Sequence, residues 1–217
     1  MSLLEVTKKS VQGAVMSALG LVIPVWVQPS MLERPHPWIL IGVGVIATVY
    51  QPSYTPTEGS RTTADRGTAR QILWTIYLCN FAALMEAVLV DYPASLRLDA
   101  AALIGLALML VGLGLRSWAV VTLGRWFTWN VRLQEGQEVI QHGPYRLVRH
   151  PSYTGALLTY LFLPLFLHSW WSLGLAAVLL PLAFLRRIKH EEQLLCESLA
   201  GYADYREKSA ALIPWIL

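Results

Sequence analysis

The chain alternates long apolar runs with short polar segments, and this pattern predicts a bundle of membrane helices. A bilayer core is crossed by roughly 20 consecutive apolar helical residues. The last run contains no Asp, Glu, Lys or Arg and is too long for one span, so it is expected to form a hairpin of two spans that breaks near residues 168–171. The pattern therefore predicts about six spans. The runs cover residues 11–27, 37–50, 72–90, 100–123 and 153–185.

Composition agrees with this pattern, because 55% of the residues are apolar and only 14% are charged. Soluble domains are less apolar than this. We therefore predict an all-α, polytopic integral membrane protein with a single membrane domain. Residues 1–123 would supply four spans, and residues 124–217 a polar loop, the hairpin and a helical tail. Lys8 and Lys9 precede the first run as in a secretory signal, but no small-x-small cleavage site follows, so an uncleaved first span is expected.

The basic residues predict the orientation. With the amino terminus inside, nearly all Lys and Arg fall in inner segments, which is the positive-inside pattern and places both termini in the cytoplasm. The basic residues are dispersed, so no nucleic-acid partner is expected. The outer segments hold only Arg34 and Arg97. The inner segments hold Lys8, Lys9, Arg61, Arg66, Arg70, Arg125, Arg132, Arg146, Arg149, Arg186, Arg187, Lys189, Arg206 and Lys208.

Three further features lie within or between the spans. Glu86 and Arg116 fall inside predicted spans, where charges are costly. They could pair with each other, which is the favoured interpretation, or line a tunnel for the acceptor, or lie nearer the membrane interface than the predicted boundaries suggest. Cys79 lies in a span and Cys196 in the tail, so no disulfide is expected between them. Residues 51–70 are rich in Pro, Gly, Ser and Thr, which predicts an irregular cytoplasmic loop.

A ring-rich polar loop precedes the last apolar run, with the sequence His142-Gly-Pro-Tyr-Arg-Leu-Val-Arg-His-Pro-Ser-Tyr-Thr-Gly155. Pro151 disfavours helical geometry at His150 and is a good first residue of a helix, so His150 is predicted at a helix entrance. The unpaired N–H groups of such an entrance suit an acceptor group of a ligand. The same residues also fit a membrane-entry segment, in which Arg149 reaches lipid headgroups and the tyrosines anchor the interface.

A charged helix is predicted after the last run, from Leu185 to Glu192. Arg187 and Glu191 are four residues apart and therefore share one helix face. They could form an exposed ion pair, or they could form a site where the guanidinium grips a carboxylate and the acid holds an ammonium group. A metal site is not expected, because the adjacent side chains of His190, Glu191 and Glu192 diverge on a helix.

Three elements in this order resemble the isoprenylcysteine carboxyl methyltransferase family, over about residues 122–217. They are Gly143-Pro-Tyr-Arg-Leu-Val-Arg-His-Pro-Ser-Tyr-Thr-Gly155, then Arg187-Ile-x-x-Glu-Glu192 after the hairpin, then Gly201-Tyr-Ala-Asp-Tyr-Arg206. The resemblance implies methyl transfer from S-adenosylmethionine, which enters from the cytosol. The methyl acceptor would be the carboxylate of a lipophilic molecule, isoprenylcysteine-like or another apolar acid, which enters from the bilayer.

The resemblance also implies roles for individual residues. Arg187 would grip the acceptor carboxylate and Glu191 would hold the cofactor's amino group, with Arg186 and Glu192 as substitutes because the register is ambiguous by one residue. Gln137 stands where family members often have His. The expected cofactor contacts, besides Glu191, are Gln134, Gln137, Glu138, Val139, Ile140, Tyr145, His150, Pro151, Ser152 and Tyr153.

Three other functions remain open from the sequence. A phospholipid or amine N-methyltransferase would share the cofactor loop, although Arg187 suits an amine acceptor poorly. Membrane sterol reductases, which bind a nicotinamide dinucleotide, resemble the Gly-Pro-Tyr-x-x-x-Arg-His-Pro-x-Tyr pattern, but their tails differ. A non-enzymatic scaffold or transporter is disfavoured, because the polar residues cluster at one rim instead of at mid-membrane.

Overall fold

The computed structural model describes residues 3–50 and 65–214, and the regular elements in these ranges are helices. Eight α-helices are joined by short 3₁₀ helices and turns, and one isolated bridge links Val148 to Ala210. The all-α prediction is thus confirmed for the described part of the chain. The helices are α1 (Leu3–Val27), α2 (Pro35–Tyr50), α3 (Thr68–Leu89), α4 (Ala100–Leu123), α5 (Pro151–Leu161), α6 (Leu163–Phe166), α7 (Trp170–Ser198) and α8 (Tyr202–Lys208).

The last apolar run folds as a hairpin, as predicted. Its first arm is α5 and α6, its second arm begins at Trp170, and His168 in the turn adopts a left-handed backbone conformation with φ of 50°. The second arm continues without a break to Ser198, so the charged segment extends the membrane helix α7. This continuity fixes Arg187 and Glu191 relative to the hairpin.

The hairpin packs tightly against α4 because glycines remove side chains from the contact. A Cβ atom on Gly112 would lie 2.6 Å from the carbonyl oxygen of Gly155, and one on Gly155 would lie 2.6 Å from the backbone nitrogen of Arg116. Backbones of membrane helices approach this closely only at small residues. On its other side α7 packs along α3, with Ile76, Leu180 and Phe184 in a shared apolar core.

Among residues 3–50 and 65–214, four helices are long and apolar enough to cross a membrane, namely α1, α3, α7, and α4 with the 3₁₀ turn that follows it. The predicted count of six is not confirmed. The two remaining apolar segments, α2 and residues 151–166, are each 16 residues long. A helix of that length spans about 24 Å, which is short of a bilayer core of about 30 Å. The predicted loop over residues 51–70 lies mostly outside the described residues, as does Arg61.

Glu86 and Arg116 contact different partners, so the predicted pairing between them is not what the structure shows. The Glu86 carboxylate accepts hydrogen bonds from the backbone N–H groups of Trp171 at 3.0 Å and Ser172 at 2.8 Å. It therefore caps the amino terminus of α7, where unpaired N–H groups attract an anion. Arg116 is buried in α4 and donates to the carbonyl oxygen of Ser152 at 3.0 Å.

Candidate active site

The ring-rich loop is held in place by the carboxyl-terminal tail. Pro151 begins α5 as predicted, with His150 at its entrance. The backbone N–H groups of Arg149 and His150 donate to the carbonyl oxygens of Ala210 and Ala211 at 2.8 and 3.0 Å. Tyr205, whose pKa burial raises to about 12, stays protonated and donates to the carbonyl oxygen of Tyr145 at 2.6 Å. The loop is thus a fixed structure that lies against the tail.

Tyr153 joins the loop to the charged face of α7. Its hydroxyl donates to the Glu191 carboxylate and accepts from Nε of Arg187 at 2.8 Å. Its ring stacks on that of His150, with centroids 5.3 Å apart and planes 7° from parallel. Arg187 and Glu191 therefore face the loop, so the interpretation of this pair as an exposed surface ion pair does not hold.

Asp65, which precedes α3, is the main site residue that sequence reasoning missed. Its carboxylate lies 2.6 Å from Nη1 of Arg187, and the two side chains are 3% and 4% exposed. The same carboxylate accepts from the backbone N–H groups of Val131 at 3.1 Å and Ala69 at 3.2 Å. Burial alone would raise the pKa of Asp65, but the Arg187 charge and the two backbone donors outweigh it and lower that pKa. Asp65 is therefore an ionised partner of Arg187.

Glu192 forms a second buried cluster on the adjacent face of α7. One of its oxygens accepts from Nε of Arg149 at 2.7 Å and lies 3.0 Å from Nε2 of His150. Its other oxygen pairs with Arg206 of α8 at 3.1 Å. Glu192 thus connects α7 to the loop and to the tail. These contacts are between protein groups and stabilise the fold.

One large cavity, of about 810 Å³, connects the polar loop to the apolar helices. Its polar end is lined by Arg187, Glu191, Tyr153, His150 and the segment 137–140. Arg116, with its guanidinium 5.4 Å from the centre of the Trp129 ring, lines the same cavity. The apolar end is lined from α1 to α4, by Met16, Leu21, Val43, Leu84, Met109 and Leu113.

The structure brings most of the predicted site residues to this cavity and places four elsewhere. Arg186 lies on the outer face of α7, where it donates to Gln71, and Pro151 lies in the first turn of α5. The Gln134 side chain donates to the carbonyl oxygen of Arg125 at 3.0 Å. Glu192 is the fourth, as described above. The residues at the cavity are Gln137, Glu138, Val139, Ile140, Tyr145, His150, Ser152, Tyr153, Arg187 and Glu191.

The polar end offers the groups that S-adenosylmethionine would need. Glu191 presents a carboxylate whose side chain is 26% exposed, which suits an amino group. The backbone groups of residues 138–140 make no hydrogen bond within the described ranges, so they are available to the edge of a flat heterocycle such as adenine. The Tyr153 and His150 rings add flat apolar faces. The residues present therefore fit the cofactor.

Comparison with known proteins finds similarity to the family that the sequence motifs resemble. The profile of the isoprenylcysteine carboxyl methyltransferase (ICMT) family matches residues 103–197, which contain Tyr153, Arg187 and Glu191. Protein-S-isoprenylcysteine O-methyltransferase A of Arabidopsis thaliana is 34% identical over 115 residues, which are 52% of this chain and 58% of that protein. A probable protein-S-isoprenylcysteine O-methyltransferase of Oryza sativa subsp. indica is 34% identical over 116 residues, 52% of this chain and 61% of its own length.

A bacterial relative extends the comparison. The uncharacterized protein YpbQ of Bacillus subtilis (strain 168) is 29% identical over 125 residues, which are 57% of this chain and 71% of that protein. The chain spans about three fifths of the length of the two plant proteins. The predicted resemblance to the isoprenylcysteine carboxyl methyltransferase family is thus confirmed for residues 103–197, the part of the chain that carries the ring-rich loop and the charged face of α7.

Proposed function

We propose that this chain is an integral membrane methyltransferase that transfers a methyl group from S-adenosylmethionine to the carboxylate of a lipophilic acceptor. An isoprenylcysteine is the acceptor that we favour, because the plant relatives are named for it. One observation carries the proposal: a single cavity has a charged, ring-lined end and an apolar end, and Arg187 lies in its wall. Such a cavity suits a polar cofactor and a molecule with an apolar tail in contact with each other.

The chain's residues act by holding the two reactants. Glu191 would hold the amino group of the cofactor, the backbone of residues 138–140 would contact its adenine, and Tyr153 and His150 would form the wall between them. Arg187 would hold one oxygen of the acceptor carboxylate. Alignment of two reactants in a fixed geometry supplies a large part of the rate in displacement reactions.

No residue is needed as a general base. An acceptor carboxylate is already ionised at neutral pH. When bound, S-adenosylmethionine supplies a methyl group whose bond to sulfur breaks as a bond to a carboxylate oxygen forms, so no proton is released. The part of the chain is to exclude water and to fix the carboxylate, and burial of Arg187 serves both tasks. We therefore expect no covalent enzyme intermediate.

The acceptor would enter from the bilayer and the cofactor from the cytosol. Four large side chains of α3 line the cavity and are also exposed, namely Trp74, Tyr77, Leu78 and Phe81. A lipid-borne acceptor would enter through this part of the wall. Arg132 and Arg149 line the polar end, and by the positive-inside rule their charge supports a cytoplasmic position for that end.

An amine acceptor is the second candidate, and one observation favours it. The Asp65 carboxylate neutralises Arg187, so the acceptor end of the cavity is less cationic than the sequence implies. A phospholipid N-methyltransferase would use such a site. The favoured acceptor remains a carboxylate, because Arg187 lines the cavity and its hydrogen bonds to described residues use four of its five N–H groups.

Methyl transfer to matched acceptors tests the proposal. Purified protein in lipid nanodiscs would be given S-adenosylmethionine with a labelled methyl group and a prenylated cysteine, either as the free acid or as its amide. We expect labelling of the acid and none of the amide, with release of labelled methanol in alkali because the product is an ester. Labelling of a phosphatidylethanolamine, stable to alkali, in place of the acid would contradict the proposal.

A further inference from the structure

We infer that Asp65 is a positioning residue that restricts Arg187 to a one-oxygen grip on the acceptor carboxylate. The inference rests on the proposed function, because it concerns how that acceptor is held. Asp65 lies outside residues 103–197, the part matched by the family profile, and it reaches Arg187 across 122 positions of sequence.

The hydrogen bonds of Arg187 leave little of its guanidinium free. A guanidinium has five N–H groups. Nη1 donates to Asp65 at 2.6 Å and to Thr68 at 3.1 Å, and Nε donates to Tyr153 at 2.8 Å. Nη2 donates to the carbonyl oxygen of Trp129 at 2.6 Å. Within the described residues, four N–H groups are therefore committed to the protein and one, on Nη2, is left for a ligand.

The Asp65 side chain is held rigidly. It is 2% exposed, and its carboxylate also binds the backbone of Val131 and Ala69. It thus joins α3, the loop after α4 and α7 at one point. Burial and several hydrogen bonds hold the Asp65 carboxylate in one orientation. The Nη1 edge of Arg187 therefore stays bound to Asp65 while an acceptor binds.

The chemical consequence follows from how arginine binds carboxylates. A free guanidinium edge grips both oxygens of a carboxylate in a fork. Such a grip stabilises the ionised acceptor before reaction more than it stabilises the forming ester, so it lowers KM and also lowers kcat. With Asp65 on the Nη1 edge, one acceptor oxygen is bound through Nη2 and the other is free to attack the methyl group.

Steady-state kinetics of Asp65→Asn test this inference. The substitution keeps the shape of the side chain but replaces the ionised partner of Nη1 by a neutral amide oxygen. The amide binds Nη1 more weakly than the carboxylate does, so an acceptor carboxylate can compete for Nη1 as well as bind Nη2. We expect KM for the prenylcysteine to fall several-fold and kcat to fall about tenfold, the size expected for one charge-assisted hydrogen bond. Affinity for S-adenosylhomocysteine, measured by calorimetry, should stay within about twofold of wild type, because Asp65 does not touch the expected cofactor groups.

A matched control exists at the other end of the bundle. Asp99 also caps a long helix, accepting from the backbone N–H of Ala102 at 3.1 Å, and its carboxylate lies 2.9 Å from Nε2 of the buried His168 ring. Asp99→Asn removes the same charge far from the cavity, and neither kcat nor KM should change. Thr68→Val provides a second variant, which frees one Nη1 hydrogen without changing charge and should shift KM and kcat in the same direction by a smaller factor.

The possible outcomes separate the inference from the proposed function. If wild type does not methylate the acid, the proposed function fails. If wild type is active and Asp65→Asn leaves both KM and kcat unchanged, the inference is overturned. It is also overturned if Asp65→Asn raises KM, because a merely structural role weakens acceptor binding. If Asp65→Asn does not bind S-adenosylhomocysteine, Thr68→Val decides: a lower KM with a lower kcat supports the inference, and any other change overturns it.

Discussion

The two ends of the helix bundle both contain buried polar side chains, yet only one end has the properties of a site. At the far end, Asp99 and the carbonyl oxygen of Ser95 bind the His168 ring at 2.9 and 3.0 Å, and Glu86 caps α7. At the near end, Asp65, Tyr153 and Glu191 surround Arg187. Both networks bring distant segments together through one or two ionisable groups.

The difference lies in what the polar groups face. The far-end groups bind helix ends and turns, so their hydrogen bonds close the hairpin against α3 and α4. The near-end groups line a cavity of about 810 Å³ that continues into an apolar space. A buried polar network by itself indicates that its groups stabilise the packing of the fold. It indicates a functional site when its groups also line a cavity.

Replacement of Arg187 should produce the largest loss of activity. Arg187→Ala removes the proposed grip on the acceptor and leaves Asp65 buried without its cation. We expect kcat/KM for the acceptor to fall at least about 100-fold, as for removal of a preorganised charged donor. Arg186→Ala is the control, because Arg186 lies outside the cavity, and its activity should remain within about twofold of wild type. A larger loss of kcat/KM in Arg186→Ala than in Arg187→Ala would indicate that Arg186 binds the acceptor.

Glu191 should control cofactor binding more than acceptor binding. Glu191→Gln removes the proposed partner of the cofactor's amino group, and the dissociation constant of S-adenosylhomocysteine should rise about 10- to 100-fold, the size of a hydrogen bond between charged groups. Isothermal calorimetry measures this directly. Glu197→Gln is the matched control on the same helix, where Glu197 is exposed and binds Gln193 at 3.1 Å. Equal affinities in the two variants would contradict the role given to Glu191.

Gly20 tests the apolar half of the cavity. A Cβ atom at Gly20 would meet nothing within 4 Å, and the residue lines the cavity from α1. Gly20→Leu should therefore fill space without strain and lower kcat/KM about tenfold for a geranylgeranyl acceptor while leaving a geranyl acceptor nearly unchanged, since each buried CH₂ contributes about 0.8 kcal/mol. Gly42→Leu, also at an open position but away from the cavity, should show no dependence on chain length.

The smallest effect on chemistry is expected at the far end. Glu86→Gln weakens the cap of α7, and we expect a loss of about 1–2 kcal/mol in the free energy of unfolding, as for other helix caps. Thermal unfolding in detergent would show a lower midpoint. The affinity for S-adenosylhomocysteine at a temperature where the variant is folded should equal that of wild type. A selective loss of affinity would show that the two ends are coupled.

Local patterns in the sequence predicted much of the site. Pro151 after His150 predicted a helix entrance, and the break in a long apolar run predicted the hairpin. The four-residue spacing of Arg187 and Glu191 predicted a shared face, and both residues line the cavity, whereas Arg186 lies on the outer face of α7. These features depend on backbone geometry over a few residues, which sequence patterns describe well.

The rest could not be predicted, because it depends on how distant segments pack. Nothing near Asp65 indicates that it binds Arg187, since the contact requires α3 to lie along α7. Glu86 and Arg116 were expected to pair because both lie in apolar runs, but each has a backbone partner on the hairpin, at Trp171 and Ser152. The number of spans was uncertain because α2 and the first hairpin arm are shorter than a bilayer core.

Cofactor binding by the purified protein tests the central claim most directly, which is that the charged end of the cavity holds S-adenosylmethionine. Calorimetry would compare S-adenosylhomocysteine with reduced nicotinamide adenine dinucleotide phosphate, for wild type and for Glu191→Gln. We predict binding of S-adenosylhomocysteine at one site per chain, weakened by the substitution, and no binding of the dinucleotide. Binding of the dinucleotide with no heat from S-adenosylhomocysteine would contradict the account and favour a membrane reductase.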